Sequence, residues 1–354
     1  MVLHGLVRDQ YGKKMSKSRG NTVDPLEWID RFGADAVRFT LARGSNPGSD
    51  TSVSEEWAAG SRNFANKLWN ATRFALLNGA TTGPFRTTDL STTDRWILSR
   101  LSSVIAEVDG LLEEFEFGKA CEALYHFAWD EFCDWYLELA KVPLASGDER
   151  AAETTRRVLG FVLDQMLRLL HPVMPFVTDE LWTALTAEDS VMMAPWPSYE
   201  FTDPAAEAEI ASLMRLVTEI RRFRSDQGLR PAQRVPARLA GIESTPLAPH
   251  EPSIRTLLRL TAPEASFAPS AALAAEGVTV ELDLAGTVDL DAERRRLEKD
   301  LAAARKEAQQ MSAKLGNANF TEKAPPDVID KSRQRLAAAE ADITRLETRL
   351  TALT

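Results

Sequence analysis

Residues 14–18 read Lys-Met-Ser-Lys-Ser: two ammonium groups and two hydroxyls within five residues, with Gly12 before them and Gly20 after. A given pentapeptide arises by chance in about one chain in ten thousand of this length, so the match is informative. The chemistry that suits such a loop is the handling of a polyphosphate. Lysine ammonium groups clamp phosphate oxygens and stabilise charge that builds on pyrophosphate as it leaves. Glycines on both sides let the segment move, although each could equally end an element. The plainer reading is a solvated Lys/Ser loop, and the flanking sequence argues against it.

Those flanks form an ordered setting. The stretch HGLVRDQYGKKMSKSRGNTVDP reads as a short strand followed by a loop. Asp24-Pro25 then fits a helix start, with Asp24 as cap and Pro25 at the first helical position. A helix runs through Trp28 and Ile29 and ends at Gly33. A second spans Ala34 to Ala42, and Gly44 to Ser54 is a loop. From Glu55 to about Thr186 the pattern is helical. Phe64, Leu68, Ala71 and Ala75 share one face. Leu98, Leu101, Ile105, Val108, Leu112 and Phe115 keep a 3–4 spacing, as do Val158, Val162, Met166 and Leu169. Turn signals at Asn78-Gly79, Gly83-Pro84 and Ser146-Gly147 divide the stretch into a bundle of four or five helices. Ile210, Leu213, Val217 and Ile220 mark one more helix. Seven prolines between Pro231 and Pro269 exclude a long helix there, and Val235–Leu239 and Val278–Leu284 alternate like strands. Leu290 to Leu315 and Ile329 to Leu353 step in heptads around a break at Gly316, Pro325 and Pro326. An intramolecular antiparallel hairpin is the simplest arrangement, and it implies a monomer.

Composition narrows the class. In 354 residues the net charge is −10, yet residues 1–20 carry +4, residues 211–240 carry +5 and residues 291–354 carry +2. An acidic body with basic patches is compatible with a polyanionic partner. Two cysteines exclude a disulfide framework and a Cys-rich zinc site. No apolar run reaches membrane-spanning length, and the first residues lack a secretory signal, so a cytoplasmic location without membrane association is expected.

Lys-Met-Ser-Lys-Ser followed by RGNTVDP and GADAVRFTLA resembles the second signature of class I aminoacyl-tRNA synthetases. RNFANKLWNATRFALLN and DEFCDWYLELAK resemble the valine-specific branch in particular. LDAERRRLEKDL and KLGNANFTEKAPPDVIDKSRQRL resemble its C-terminal tRNA-binding arm. The isoleucine branch is the nearest rival, but its bacterial forms often end in a Cys-rich zinc module that has no counterpart here. The resemblance covers essentially the whole chain. It implies a mainly α protein: the end of a Rossmann-type catalytic domain (1–54), an α-helical anticodon-binding bundle (55–202), a basic helix with a small α/β linker domain (203–288) and an antiparallel coiled-coil hairpin (289–354). It also implies a ligase that activates L-valine with ATP, accompanied by Mg2+, and transfers it to tRNA(Val). No metal site within the chain is expected. The segment Lys14, Met15, Ser16, Lys17 and Ser18 becomes the ATP-binding loop. Lys17 contacts the phosphates, Lys14 supports the same transition state, and Ser16 and Ser18 shape the loop.

The departures are as informative. Class I synthetases need an HxGH motif, and none of His4, His126, His171 and His250 sits in one. The editing domain and the valine pocket have no counterpart either. The resemblance therefore implies the C-terminal part of a synthetase, catalytically incomplete as an isolated chain and, alone, a tRNA-binding module. For tRNA contact, Arg221, Arg222 and Arg224 and the hairpin's Arg294, Arg295 and Arg296 are the candidates. The bland alternative is a solvated surface paired to the acidic body. Around His126, the aromatics Tyr125, Phe127, Trp129, Phe132, Trp135 and Tyr136 suit base stacking, but most fit better as bundle core, as do Cys121 and Cys133.

Overall fold

The computed structural model describes residues 5–284, 290–316 and 326–352; the side chains of 290–296, 326–328, 348–349 and 351–352 lie outside that description. The chain divides into two compact units, Met1–Val217 with Glu243–Leu257, and Thr218–Ile242 with Leu258–Thr354.

The first unit is helical. Strand β1 (Val7–Arg8) leads into the Lys-Met-Ser-Lys-Ser segment, and α1 (Pro25–Phe32) follows. Asp24 caps α1 by accepting from Leu26 N at 2.9 Å, as its sequence predicts. Gly33 ends α1, and α2 (Ala34–Arg43) begins at once. The expected loop at 44–54 contains a short strand, β2 (Thr51–Ser52), which pairs parallel with β1. Two residues are too few to leave a strand pattern.

Helices α3 (Glu55–Leu77), α4 (Thr92–Glu113), α5 (Phe117–His126), α6 (Leu137–Ala145), α7 (Glu149–Leu170) and α8 (Pro175–Thr186) form the bundle. The stripe of Phe64, Leu68, Ala71 and Ala75 is buried, and so is that of Val158, Val162, Met166 and Leu169. The α4 stripe stops earlier than its spacing suggests. Phe115 lies beyond the helix end with φ 60° and is exposed, packed edge-on to Phe117. Between α5 and α6, residues Phe127–Tyr136 form a π-helix. Its wider turn buries Phe127, Phe132 and Tyr136, a spacing of five then four that no α-helical stripe produces. The Tyr136 hydroxyl donates to Asp94 Oδ1 at 2.9 Å, and burial pushes the Asp94 carboxyl up.

Helix α2 is keyed to the bundle by polar contacts. Asp35 accepts from Phe176 N (3.2 Å) and Val177 N (2.6 Å), satisfying orphan donors at the start of α8. Arg38 donates to the carbonyls of Pro172 and Val173, each at 3.0 Å. At Gly118 the chain admits no side chain: a Cβ there would meet Ser45 O at 2.4 Å. That close approach seats the 44–50 loop on α5 and so supports β2.

One buried carboxylate organises the far side of the bundle. Asp164 accepts from Trp182 Nε1 (2.5 Å), Arg168 Nε (2.8 Å) and Gln165 Nε2 (2.7 Å). Asp164→Ala would strand three donors, two of them on buried side chains. We expect a loss of about 3–5 kcal/mol, because breaking a buried ion pair costs that order. Urea unfolding checks it; a loss below about 1 kcal/mol, the worth of an exposed pair, would contradict the role.

Helix α9 (Pro204–Asp226) buries Ile210, Leu213, Val217 and Ile220. In the second unit, β3 (Val235–Ala240), β4 (Leu260–Thr261), β5 (Ala271–Ala275) and β6 (Val278–Leu282) form one sheet in the order β4-β3-β6-β5. Strand β5 was hidden in the sequence because its residues are AALAA, and alanine is a poor strand former. It is held by its antiparallel register with β6, from Ala271↔Leu282 to Ala275↔Val278. Helix α10 (Glu251–Leu258) lies mainly in the first unit. Preceding it, His250 is buried, with Nε2 2.7 Å from Glu209 Oε1.

Helices α11 (Leu290–Leu315) and α12 (Pro326–Ala352) pack antiparallel. Leu297 and Leu301 pack with Leu346, while Arg335 reaches Glu307 at 2.7 Å. The buried positions Leu297, Leu301, Ser332, Ala339 and Leu346 all fall on the predicted heptad seam. The expected mainly α fold with a small mixed unit and a C-terminal helical hairpin is therefore observed. Among the described residues no helix is long and apolar enough to cross a membrane.

Candidate nucleotide loop and basic surfaces

The loop is built from both ends. β1 is fixed by Thr51 N donating to Leu6 O and Val53 N to Arg8 O, each at 3.0 Å. Asp50 accepts from Leu6 N at 2.7 Å and pairs with the Arg8 guanidinium. The Leu6 amide and then Arg8 hold the Asp50 carboxyl below the usual range. At the other end, Lys17–Arg19 form a single 3₁₀ turn closed by Gly20 N donating to Lys17 O at 3.2 Å. Gly12 (φ 74°) and Gly20 (φ 66°) both sit in the left-handed region, where glycine carries no steric penalty.

Within the segment the side chains divide by role. Met15 is half-buried and packs on the cluster of Trp28, Val37, Val53 and Ala58. Ser16 Oγ and Ser18 Oγ lie 3.3 Å apart. Lys14 and Lys17 are exposed, and among the described residues neither ammonium has an ion-pair partner. Other cations of residues 1–54 are engaged: Arg31 with Glu55 by two bonds of 2.7 Å, Arg43 with Glu122 by two of 2.8 Å. Asp9 accepts from Asn21 Nδ2 (2.8 Å), Lys13 N (2.8 Å) and Tyr11 N (3.0 Å). Asn21 foremost, then the Lys13 amide, hold the Asp9 carboxyl below its ordinary range. Beside the loop opens a cavity of about 540 Å³, lined by Asp9, Tyr11, Asn21, Asp24 and Glu55 among others. This arrangement presents two exposed cations on a hydrogen-bonded backbone, a geometry chemically suited to a polyanionic ligand. The role of Asp9 and Asn21 in holding the loop backbone is not apparent from the lysine-serine spacing itself. The one local hint is an Asx residue at each end of a Gly-bounded loop, which suggests turn bonding but not that the two side chains meet.

The basic residues fare unequally. Arg221 and Arg222 are exposed near the end of α9. Arg224 is not a surface group and drops out of the expected polyanion contacts: it is 4% exposed. Its Nη2 donates to Gln233 O at 2.7 Å and Arg230 O at 3.4 Å, tying down the turn that carries exposed Arg230 and Arg234. Burial lowers its pKa. Arg294, Arg295 and Arg296 belong to α11, but their side chains lie outside the described residues, as does His4.

The remaining candidates resolve toward structure. Phe127, Phe132 and Tyr136 are core, whereas Tyr125, Trp129 and Trp135 are half-buried. Exposed His126 has Nδ1 2.6 Å from Asp130 Oδ2. His171 Nδ1 lies 2.9 Å from Thr178 Oγ1, and burial lowers its pKa. Cys121 and Cys133 are buried, which pushes both thiols up to about 12, far from a nucleophile's range. Among the described residues no group of three His, Cys, Asp or Glu side chains is placed to hold a metal ion.

Three families match the chain in succession. Residues 1–54 match class I tRNA synthetases of the I, L, M and V type, residues 94–239 the anticodon-binding domain of tRNA ligase, and residues 289–354 the valyl tRNA synthetase tRNA binding arm. The valine–tRNA ligase of Streptomyces avermitilis is 58% identical over 353 residues, covering 99% of this chain and 40% of the relative. That of Nocardia farcinica is 58% identical over 361 residues, covering 100% and 40%. The chain thus spans about two fifths of the length of the curated relatives it matches. Among solved structures, the LeuRS–tRNA–LeuAMS ternary complex of Agrobacterium radiobacter K84 is 23% identical with a TM-score of 0.44, covering 66% of this chain and 30% of that one.

Proposed function

Because the chain belongs to the valyl-tRNA synthetase family, as a C-terminal part of this class I type, we propose that it serves ATP-dependent activation of L-valine and transfer of the valyl group to tRNA(Val), with AMP and pyrophosphate as co-products. The observation that carries the ATP role is the pair of exposed ammonium groups, Lys14 and Lys17, on a loop whose backbone and Met15 are anchored. ATP brings Mg2+ on its phosphates. As pyrophosphate departs, Lys17 meets the negative charge that grows on its oxygens and Lys14 supports it, while Ser16 and Ser18 shape the turn between them.

The rest of the chain holds tRNA. Residues 55–202 form the anticodon-binding part, 203–288 the linker with its basic turn, and 289–354 a coiled-coil arm; residues 1–54 end the catalytic domain. Arg221 and Arg222, together with the start of the arm at Arg294, Arg295 and Arg296, meet phosphates. A cytoplasmic monomer is part of this reading, and the closure of the hairpin's heptad seam within one chain supports the monomer by removing one route to a dimer.

A specific observation favours a narrower role for the isolated chain. None of its four histidines sits in HxGH, which leaves the polypeptide alone without that part of the catalytic machinery, while its anticodon-binding and tRNA-binding-arm regions support a role in holding tRNA. The test is twofold. The purified 354-residue protein is expected to retain a tRNA(Val) transcript and to show no valine-dependent ATP–pyrophosphate exchange. Failure to retain tRNA would remove the partner reading, and exchange above a no-enzyme control would refute catalytic incompleteness.

A further inference from the structure

We propose that Asn21, braced by Asp9, is the positioning residue that sets Lys14 and Lys17 for phosphate contact. The inference rests on the ATP role assigned to those lysines above. Asn21 grips the backbone on both sides of Met15. Its Oδ1 accepts from Ser16 N at 2.9 Å, and its Nδ2 donates to Lys14 O at 3.3 Å. The same Nδ2 donates to Asp9 Oδ2 at 2.8 Å. Through Oδ1, Asp9 then accepts from Tyr11 N and Lys13 N, at 3.0 and 2.8 Å. Two side chains thereby fix the backbone at residues 11, 13, 14 and 16. They touch neither ammonium.

The residue types follow from the bonding. The position of Asn21 needs a donor and an acceptor on one planar group, which an amide supplies and a carboxylate does not. The position of Asp9 needs an acceptor for three N–H groups, and an ionised carboxylate makes these bonds charge-assisted. Neither residue is explained by packing: the apolar anchorage of the segment comes from Met15 and Val23 on the Trp28 cluster. The 3₁₀ turn carrying Lys17 starts directly after Ser16, with Arg19 N donating to Ser16 O at 3.1 Å, so Asn21 sets the origin of that turn. Displacing a positioned group by about 1 Å costs on the order of 100-fold in rate. The clamp therefore acts on kcat through the lysines, with little effect on valine binding.

The experiment uses the full synthetase that carries this chain and follows valine-dependent ATP–pyrophosphate exchange. The variants are Asn21→Ala, Asn21→Asp, the exchanged pair Asp9→Asn with Asn21→Asp, and Lys17→Ala. Both single Asn21 variants should lose about 10- to 100-fold in kcat with the valine KM nearly unchanged. Asn21→Asp should be at least as damaging as Asn21→Ala, because it sets two acceptors face to face. The exchanged pair remakes the bond between positions 9 and 21 with donor and acceptor reversed but leaves Lys14 O without its donor, so it should recover part of the loss. In parallel, amide hydrogen exchange on the 354-residue chain should show the Ser16 N–H losing protection in Asn21→Ala. Full activity in both Asn21 variants, with Lys17→Ala impaired, would overturn the clamp and leave the ATP role standing. A Lys17→Ala enzyme of normal rate would instead overturn the ATP role. An exchanged pair as slow as Asn21→Asp would overturn the bracing by Asp9, the one bond in which the two variants differ.

Discussion

Replacing Lys17 with alanine is expected to slow valine-dependent pyrophosphate exchange about 10²–10³-fold, the usual cost of losing one donor to developing charge. The effect should fall on kcat and leave valine affinity almost untouched, since an interaction made mainly in the transition state contributes little to substrate binding. Stability should not change. Lys17 is exposed, its side chain has no ion-pair partner among the described residues, and the 3₁₀ turn it occupies is closed by backbone atoms. Lys17→Arg should recover only part of the rate. It keeps the charge but substitutes a planar fork for a compact ammonium. Lys14→Ala should be milder if Lys14 supports rather than leads. Near-normal adenylate formation by Lys17→Ala would take away the assigned role. A parallel rise in valine KM would point instead to general disturbance of the site.

Spacing that repeats and chemistry carried by adjacent residues are legible in the sequence; irregular spacing and bonds relayed through other elements are not. The α3 and α7 stripes and the hairpin seam were legible because each repeats one spacing for several turns, and tertiary packing rewards that repetition. The Asp24-Pro25 start was legible because capping chemistry is carried by two adjacent residues. The π-helix at Phe127–Tyr136 was not, since its burial follows a spacing of five then four. Strand β5 was not, since partner strand β6 and not its own alanines makes it a strand. In the candidate site, the lysines could be read from residue type and spacing. Asn21 and Asp9 act through bonds that join positions twelve apart, which no periodicity signals. Arg224 shows the converse. Its charge and neighbours suggested a phosphate contact, whereas two backbone carbonyls hold it inside the fold. A cluster of arginines is therefore not one surface: Arg221 and Arg222 present charge, and Arg224 shapes the turn that presents Arg230 and Arg234.

That division yields the second large expected effect. Despite a net charge of −10, the chain should bind tRNA with an affinity that falls linearly in log–log form against salt. Contact with about four phosphates gives a slope near −3.6, or about a 10²-fold loss of affinity between 50 and 200 mM salt. The charges best placed for this are the exposed arginines of residues 211–240, a segment with seven arginines against two acids. Arg221→Ala with Arg222→Ala should flatten the slope by about one to two units, one for each phosphate left without its arginine. Arg224→Ala should behave differently. It removes a buried guanidinium, so the urea midpoint should fall, while the slope changes less than in the double variant. A titration of tRNA(Val) binding for the three proteins separates the cases. Equal slopes for the parent chain and the double variant would make Arg221 and Arg222 solvated surface and leave the tRNA contact to other residues. A slope change in Arg224→Ala as large as that of the double variant would mean that the turn it holds, with Arg230 and Arg234, is the main phosphate-binding element.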